Sequence, residues 1–167
     1  MTLRSFPALA ALVVFVTFVV FAGAGAGPAF AAGPRGPAIE ITVIHATQLD
    51  GGGTIDPLLR DLPQLTREQP FVRYNNYKVL ARQELPLEIG KAAASELPNG
   101  RALAVTLVDE PKDAGGPRYH VRAEIGEPGK RAFLKLLEVT ASSNEPFFVG
   151  GQSYQGGTLF LELVVRP

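Results

Sequence analysis

The stretch Leu97–Val108, LPNGRALAVTLV, decides the fold class. In Pro98-Asn99-Gly100, the asparagine and glycine tolerate the positive backbone φ of a tight turn, and Asn-Gly is the strongest short signal for a hairpin. Behind it, Arg101–Val108 sets Leu103, Val105 and Leu107 against Ala102, Ala104 and Thr106, a period of two that only a strand can place on opposite faces. A weaker strand over Lys91–Leu97 precedes the turn, so the two pair antiparallel.

The same pattern recurs in both directions. Ile39, Ile41 and Val43 alternate with Glu40, Thr42 and Ile44 in a first strand. Asp50-Gly51-Gly52-Gly53-Thr54 reads as a loop, and Asp56-Pro57 as a helix start, with the aspartate as cap and proline at the first helical position. Leu58, Leu59, Leu62 and Leu65 make an apolar stripe on a short helix over Pro57–Glu68, which Pro63 interrupts because it cannot donate to the preceding turn. Tyr77–Leu85 alternates, and the period continues through Leu87 and Ile89 beyond Pro86. After a polar loop over Pro111–Pro117, Tyr119, Val121, Ala123 and Ile125 alternate with His120, Arg122 and Glu124. Ala132–Thr140 reads as a strand because it has no clean helical face. Glu145–Val149 and Thr158–Val165 close the chain around Gly150-Gly151 and Gly156-Gly157, glycines that permit a bend or bulge. The expectation is a mainly β or α+β, antiparallel, sandwich-like domain of about eight strands, with one short helix after the first.

Upstream, Arg4 precedes the apolar run Ala8–Ala22 (ALAALVVFVTFVVFA), and Gly23–Ala31 breaks it with glycine and Pro28. Ala29-Phe30-Ala31 has the small–x–small pattern that a signal peptidase accepts, so residues 1–31 read as a cleavable export signal. Residues 32–38 (AGPRGPA) would form a flexible mature N-terminus and 39–167 the folded domain, without a membrane span after cleavage. Localisation is then periplasmic or extracellular.

The 167 residues carry 16 Lys+Arg and 16 Asp+Glu, a balance without the basic excess that nucleic acid binding needs. There is no cysteine, so disulfides and thiolate metal sites are out. His45 and His120 lie on different strands without ligands at metal spacing, and the expectation is no metal and no cofactor. Asp50 to Asp56 lacks the ligand order of a calcium loop, and its glycines are not followed by the lysine of a phosphate loop. A turn and a helix cap account for both aspartates.

Phe71-Val72-Arg73-Tyr74-Asn75-Asn76-Tyr77 gathers aromatics, a guanidinium and two amides. Exposed, Phe71, Arg73, Tyr74, Asn75, Asn76 and Tyr77 would suit contact with a protein or a carbohydrate, where flat rings stack and amides hydrogen-bond. Buried, the same segment connects helix to strand and plugs the core.

Gly53-Thr-Ile-Asp-Pro57, Pro70-Phe71, Leu97-Pro-Asn-Gly-Arg101 and Phe148-Val-Gly-Gly-Gln152 followed by Gly156-Gly-Thr-Leu159 resemble a kind of small exported bacterial β-rich protein without assigned activity. That resemblance implies compartment and fold, and it carries no catalytic residues. Phe147–Gln152 with Gly157–Leu163 is also loosely similar to the closing strands of the secretin β-domain, which implies at most an accessory of an envelope or secretion assembly. The expected function is a non-enzymatic envelope domain that binds an envelope protein or polymer, or has a structural part. The alternative is an exported hydrolase built on His120, Glu124 and Asp109, dispersed in sequence and brought together in space.

Overall fold

A computed structural model describes residues 36–113, 116–127 and 132–167. The segment expected to be an export signal, residues 1–31, and residues 32–35 lie outside the described residues. Pro37 and Ala38, expected in the flexible N-terminus, belong to the fold. The Pro37 carbonyl accepts from Leu87 N at 2.8 Å, and Ala38 is buried.

The chain is mainly β. One antiparallel sheet has the order β2-β1-β9-β8, from Asn76–Pro86, Ala38–Thr47, Gly157–Arg166 and Pro146–Tyr154. The second has the order β3-β4-β6-β7, from Ala92–Glu96, Ala102–Asp109, Gly116–Gly126 and Phe133–Ser142. A two-residue strand, β5 (Lys112–Asp113), prolongs the β4–β6 hairpin by pairing with Gly116 and Pro117. This corrects the reading of Pro111–Pro117 as loop throughout: the segment is too short to show a period, yet the hairpin register carries on through it.

The two sheets pack face to face. Ile39, Ile41 and Val43 of β1 and Leu159, Leu161, Leu163 and Val165 of β9 meet Leu103, Val105 and Leu107 of β4 and Val121, Ala123 and Ile125 of β6. Alternation selects these residues, since every second side chain of a strand faces the same way. Burying one large aliphatic side chain stabilises by roughly 1.5–3 kcal/mol, and these rows are the main source of the fold's stability.

The strand over Ala132–Thr140 is confirmed as β7, and its pairing explains the missing alternation. The register against β6 shifts by one residue between Ala123 and Glu124, leaving Leu136 as the extra residue of a bulge. Strand β2 ends at Pro86, so the expected continuation is corrected: Leu87 turns into the core while Ile89 sits exposed at the following turn.

The helix expected over Pro57–Glu68 is instead divided. A 3-10 turn covers Pro57–Leu59 with Asp56 as its cap, its side chain accepting from Leu58 N at 3.0 Å. A four-residue helix, α1 (Gln64–Arg67), begins only after Pro63, and a second 3-10 turn covers Phe71–Arg73. Pro63 is tolerated at the start of α1 because its missing N–H would have had no partner there.

This excursion between β1 and β2 covers part of the first sheet's outer face. Leu59, Leu65 and Phe71 from it pack on Ile44 and Ala46 of β1, Tyr77 of β2 and Phe160 of β9 in a second apolar cluster. Strands β1 and β9 are therefore buried on both faces at one end and on one face at the other, where Glu40, Glu162 and Arg166 emerge.

Candidate functional site

Between residues 68–74 and strands β8 and β9 lies a cleft of about 430 Å³, lined by Glu68, Phe71, Arg73, Tyr74, Phe148 and Phe160 among others. Its wall is a run of four rings. Phe71 stands 5.1 Å from Phe148 and 4.8 Å from Phe160, and Tyr74 stands edge-on to Phe160 at 5.6 Å. Such tilted and edge-to-face pairs add about 0.5–1.5 kcal/mol each beyond their buried area. Phe71 and Phe160 are buried, whereas Phe148 and Tyr74 are half-buried and present ring surface to the cleft.

Backbone geometry opens this space. The β8–β9 register shifts between Gly150 and Gln152, with Gly151 as the extra residue at φ 101°. A side chain at Gly150 is barred, because its Cβ would sit 2.3 Å from Phe160 Cδ1. Gly150 thus lets the Phe160 ring approach the strand closely, and Gly151 adds no side chain to the cleft. Gln155 and Gly156, both at positive φ (41° and 74°), form the two-residue turn that returns the chain into β9.

The polar side is set by hydroxyls and two charges. Tyr74 OH and Thr158 Oγ1 are 2.8 Å apart, which orients the phenol across the cleft. Arg73 and Glu68 are exposed on the rim, and neither has an ion-pair partner among the described residues.

Of the residues singled out in the sequence, the structure brings Phe71, Arg73 and Tyr74 to the cleft and uses Asn75, Asn76 and Tyr77 to hold the excursion on the sheet. Asn75 Nδ2 donates to the Leu49 carbonyl at 2.8 Å and its Oδ1 accepts from Leu49 N at 2.9 Å. Asn76 accepts from Thr54 N and Oγ1 and donates to Thr47 Oγ1. The Tyr77 hydroxyl is buried and donates to the Phe71 carbonyl at 2.6 Å, with the Leu65 carbonyl 3.2 Å away. Burial, with Tyr74 adding to it, pushes the Tyr77 phenol up to about 12.

The other half of the cleft, Phe148, Gly150, Gly151, Thr158 and Phe160, was not singled out as a site. Its signal was nonetheless present: a double glycine within an aromatic strand marks a place where another group approaches closely.

His120 lies on the outer face of the second sheet, inside an ion network. Its Nε2 is 3.1 Å from Glu138 Oε1 and its Nδ1 3.7 Å from Asp109 Oδ1, while Glu138 Oε2 also accepts from Arg122 Nε at 3.1 Å and Lys135 Nζ at 2.6 Å. Hydrogen bonds from Lys135 and Arg122 hold the Glu138 carboxyl down to about 2. Glu124 stands opposite Lys135 on the adjacent strand. Among the described residues, no group of three His, Asp or Glu side chains is arranged to hold a metal ion, and no helix is long and apolar enough to cross a membrane. His45 serves the hairpin: its Nε2 donates to the Tyr154 carbonyl at 3.0 Å, with the two rings edge to face.

Comparison with known proteins returns no matching family model, no matching characterised protein and no matching solved structure.

Proposed function

We propose that this chain is exported and that its β-sandwich is a non-enzymatic binding module of the cell envelope, periplasmic or extracellular, with the aromatic cleft as its contact site. The observation that carries the reading is the cleft itself. Two half-buried rings, Phe148 and Tyr74, the second with its hydroxyl oriented by Thr158, face a space of about 430 Å³, large enough for one bulky group of a partner. Export is supported by the n-region, apolar run and Ala29-Phe30-Ala31 site of the sequence. The likeness of Phe147–Gln152 and Gly157–Leu163 to secretin strands supports an accessory place beside an envelope or secretion assembly.

A hydrolase reading centres on His120, whose two ring nitrogens both face carboxylates. A general base needs one nitrogen turned to the nucleophile, so this arrangement favours an ion network. Glu124 adds a charge on the same face.

The test is capture from envelope extract by the purified protein, by Tyr74→Ala and by Arg73→Ala, with folding followed by circular dichroism. Tyr74 is the informative position because its ring lines the cleft, whereas Tyr77 holds the fold. A partner captured by the parent and lost in Tyr74→Ala supports the reading. Equal capture by all three removes the cleft from it.

A further inference from the structure

The cleft opens against an edge. Strand β8 pairs with β9 alone and is the outermost strand of the first sheet. The two-residue turn makes Tyr154 and Gly157 the hydrogen-bonded pair that closes the hairpin, and pairs then alternate between bonded and non-bonded along an antiparallel ladder. Counting back across the Gly151 bulge, the residues opposite Phe160 and Glu162 are non-bonded positions. Gly150 and Phe148 therefore turn their backbone N–H and C=O away from β9, toward the open side. Both residues also line the cleft, together with Gly151 of the bulge.

We propose that the occupant of the cleft is an extended polypeptide segment that adds as a strand to β8 at Phe148–Gly150 and seats one large apolar side chain against Tyr74 and Phe148. The inference rests on the cleft being the binding site. Directly opposed residues of neighbouring strands share a face, so the residue set opposite Phe148 or Gly150 projects its side chain to the cleft side of the sheet. At Gly150 the place of a side chain is taken by the Phe160 ring, so the incoming side chain rests beside that ring against Tyr74 and Phe148. The added strand supplies affinity through backbone hydrogen bonds, and the cleft supplies selectivity for the side chain.

Two observations favour a peptide over other ligands. Glu68 and Arg73 give the rim one charge of each sign, which suits a neutral segment and does not attract a polyanion. A sugar would need a broad exposed ring face to stack on, whereas Phe71 and Phe160 are 5% and 2% exposed and Tyr74 and Phe148 are half-buried, so that each presents only part of its ring. Pro146 and the bulge at Gly151 confine the accessible edge to a short stretch, which limits the segment to a few residues and keeps β8 from pairing along its length with a second copy.

The test titrates ¹⁵N-labelled protein with a capped heptapeptide of alternating threonine and valine carrying one central phenylalanine. Three further peptides are compared: two N-methylated at two alternate amides, one on each strand edge, and one with alanine in place of phenylalanine. Benzyl alcohol is titrated separately as a probe of the cleft alone. The expected result is chemical-shift change and slowed exchange at the Phe148 and Gly150 amides, with affinity reduced about tenfold by N-methylation of one edge and also reduced by loss of the phenyl group. Equal binding of methylated and unmethylated peptides overturns strand addition while leaving the cleft as a binding site. A response to benzyl alcohol at Tyr74 and Phe148 with no response to any peptide overturns it in the same way. No response to either probe overturns the cleft reading as well.

Discussion

Tyr77→Phe removes one oxygen atom, and the structure says what that atom does. The phenol is 2% exposed and donates to the Phe71 carbonyl at 2.6 Å, with the Leu65 carbonyl 3.2 Å away. Without it, a carbonyl at α1 and another at the turn that carries Phe71 lose their donor from the sheet below. Deleting one partner of a buried hydrogen bond costs about 1–3 kcal/mol, and the ring that remains keeps the packing, so the low half of that range is expected. For a domain of this size that is roughly 2–6 °C in Tm. Urea unfolding at neutral pH, followed by circular dichroism, measures it, and amide exchange should accelerate first over residues 64–74.

The same variant has a signature in alkali. The Tyr77 phenol is raised from 10.0 to about 12 by burial first and by Tyr74 second. The unfolded chain gives up this proton near pH 10 and the folded chain holds it until about 12. The stabilisation is thus complete below pH 10 and is lost as pH rises through 12. Phenylalanine has no proton to release, so the stability gap between parent and variant should narrow above about pH 10. Burial and the nearby Glu110 also raise Tyr119, which leaves both proteins a residual alkaline loss. A variant as stable as the parent at neutral pH, or a gap that stays constant from about pH 8 to 11, would refute the reasoning.

Gly150→Ala places a methyl 2.3 Å from Phe160 Cδ1, on a ring fixed between Phe71 and Tyr74. Overpacking of this kind costs about 1–3 kcal/mol, and an unchanged urea midpoint would show that Phe160 can move. Glu40 accepts from Arg166 at 2.9 Å and from Arg82. Burial works to raise its pKa, yet the hydrogen bonds from Arg166 and Arg82 leave it lowered from 4.5. Its stabilisation is present above 4.5 and is lost as pH falls through the lower folded value. Glu40→Gln should therefore destabilise by about 1–2 kcal/mol at neutral pH and flatten the acid side of a Tm-against-pH curve. Glu162, on the same face, is raised chiefly by burial, and Glu40 adds to that. Its ionisation opposes folding as pH rises through its folded value, so Glu162→Gln should leave Tm at neutral pH unchanged or higher; a fall of several degrees would contradict this.

Much of the fold was legible because alternation is a local signal. Ile39–Ile44, Arg101–Val108 and Tyr119–Ile125 each bury one face against the opposite sheet, and their sequences show it. Where the structure departs from simple alternation, a bulge or proline is responsible: Leu136 hides the period of β7, and Pro63 divides the expected helix. The cleft was half legible. Phe71–Tyr77 drew notice by composition, but composition does not tell that Asn75 and Asn76 bind the Leu49, Thr47 and Thr54 region while Arg73 and Tyr74 face outward. That depends on how residues 48–75 dock, a tertiary fact without a periodic trace.

The docking of that excursion follows from one division along β1 and β9. Their outer faces carry Ile44, Ala46 and Phe160 at one end and Glu40, Thr42, Glu162 and Arg166 at the other. The apolar end must be covered, and Leu59, Leu65 and Phe71 cover it; the polar end is satisfied by its own ion pairs. The cover reaches β8 only at Phe148; beyond it Gly150 and Gly151 have no side chains to complete it, and the exposed parts of Tyr74 and Phe148 are what remains. The cleft is in this sense the unfinished edge of a core. Its rings therefore serve stability and contact together, and Phe71→Ala or Phe160→Ala would remove a buried ring at about 3–5 kcal/mol, confounding loss of binding with loss of folding. Tyr74, half-buried and held to the sheet by its edge contact with Phe160 and its hydroxyl contact with Thr158, is the ring whose removal costs the fold least and at which the two effects separate best.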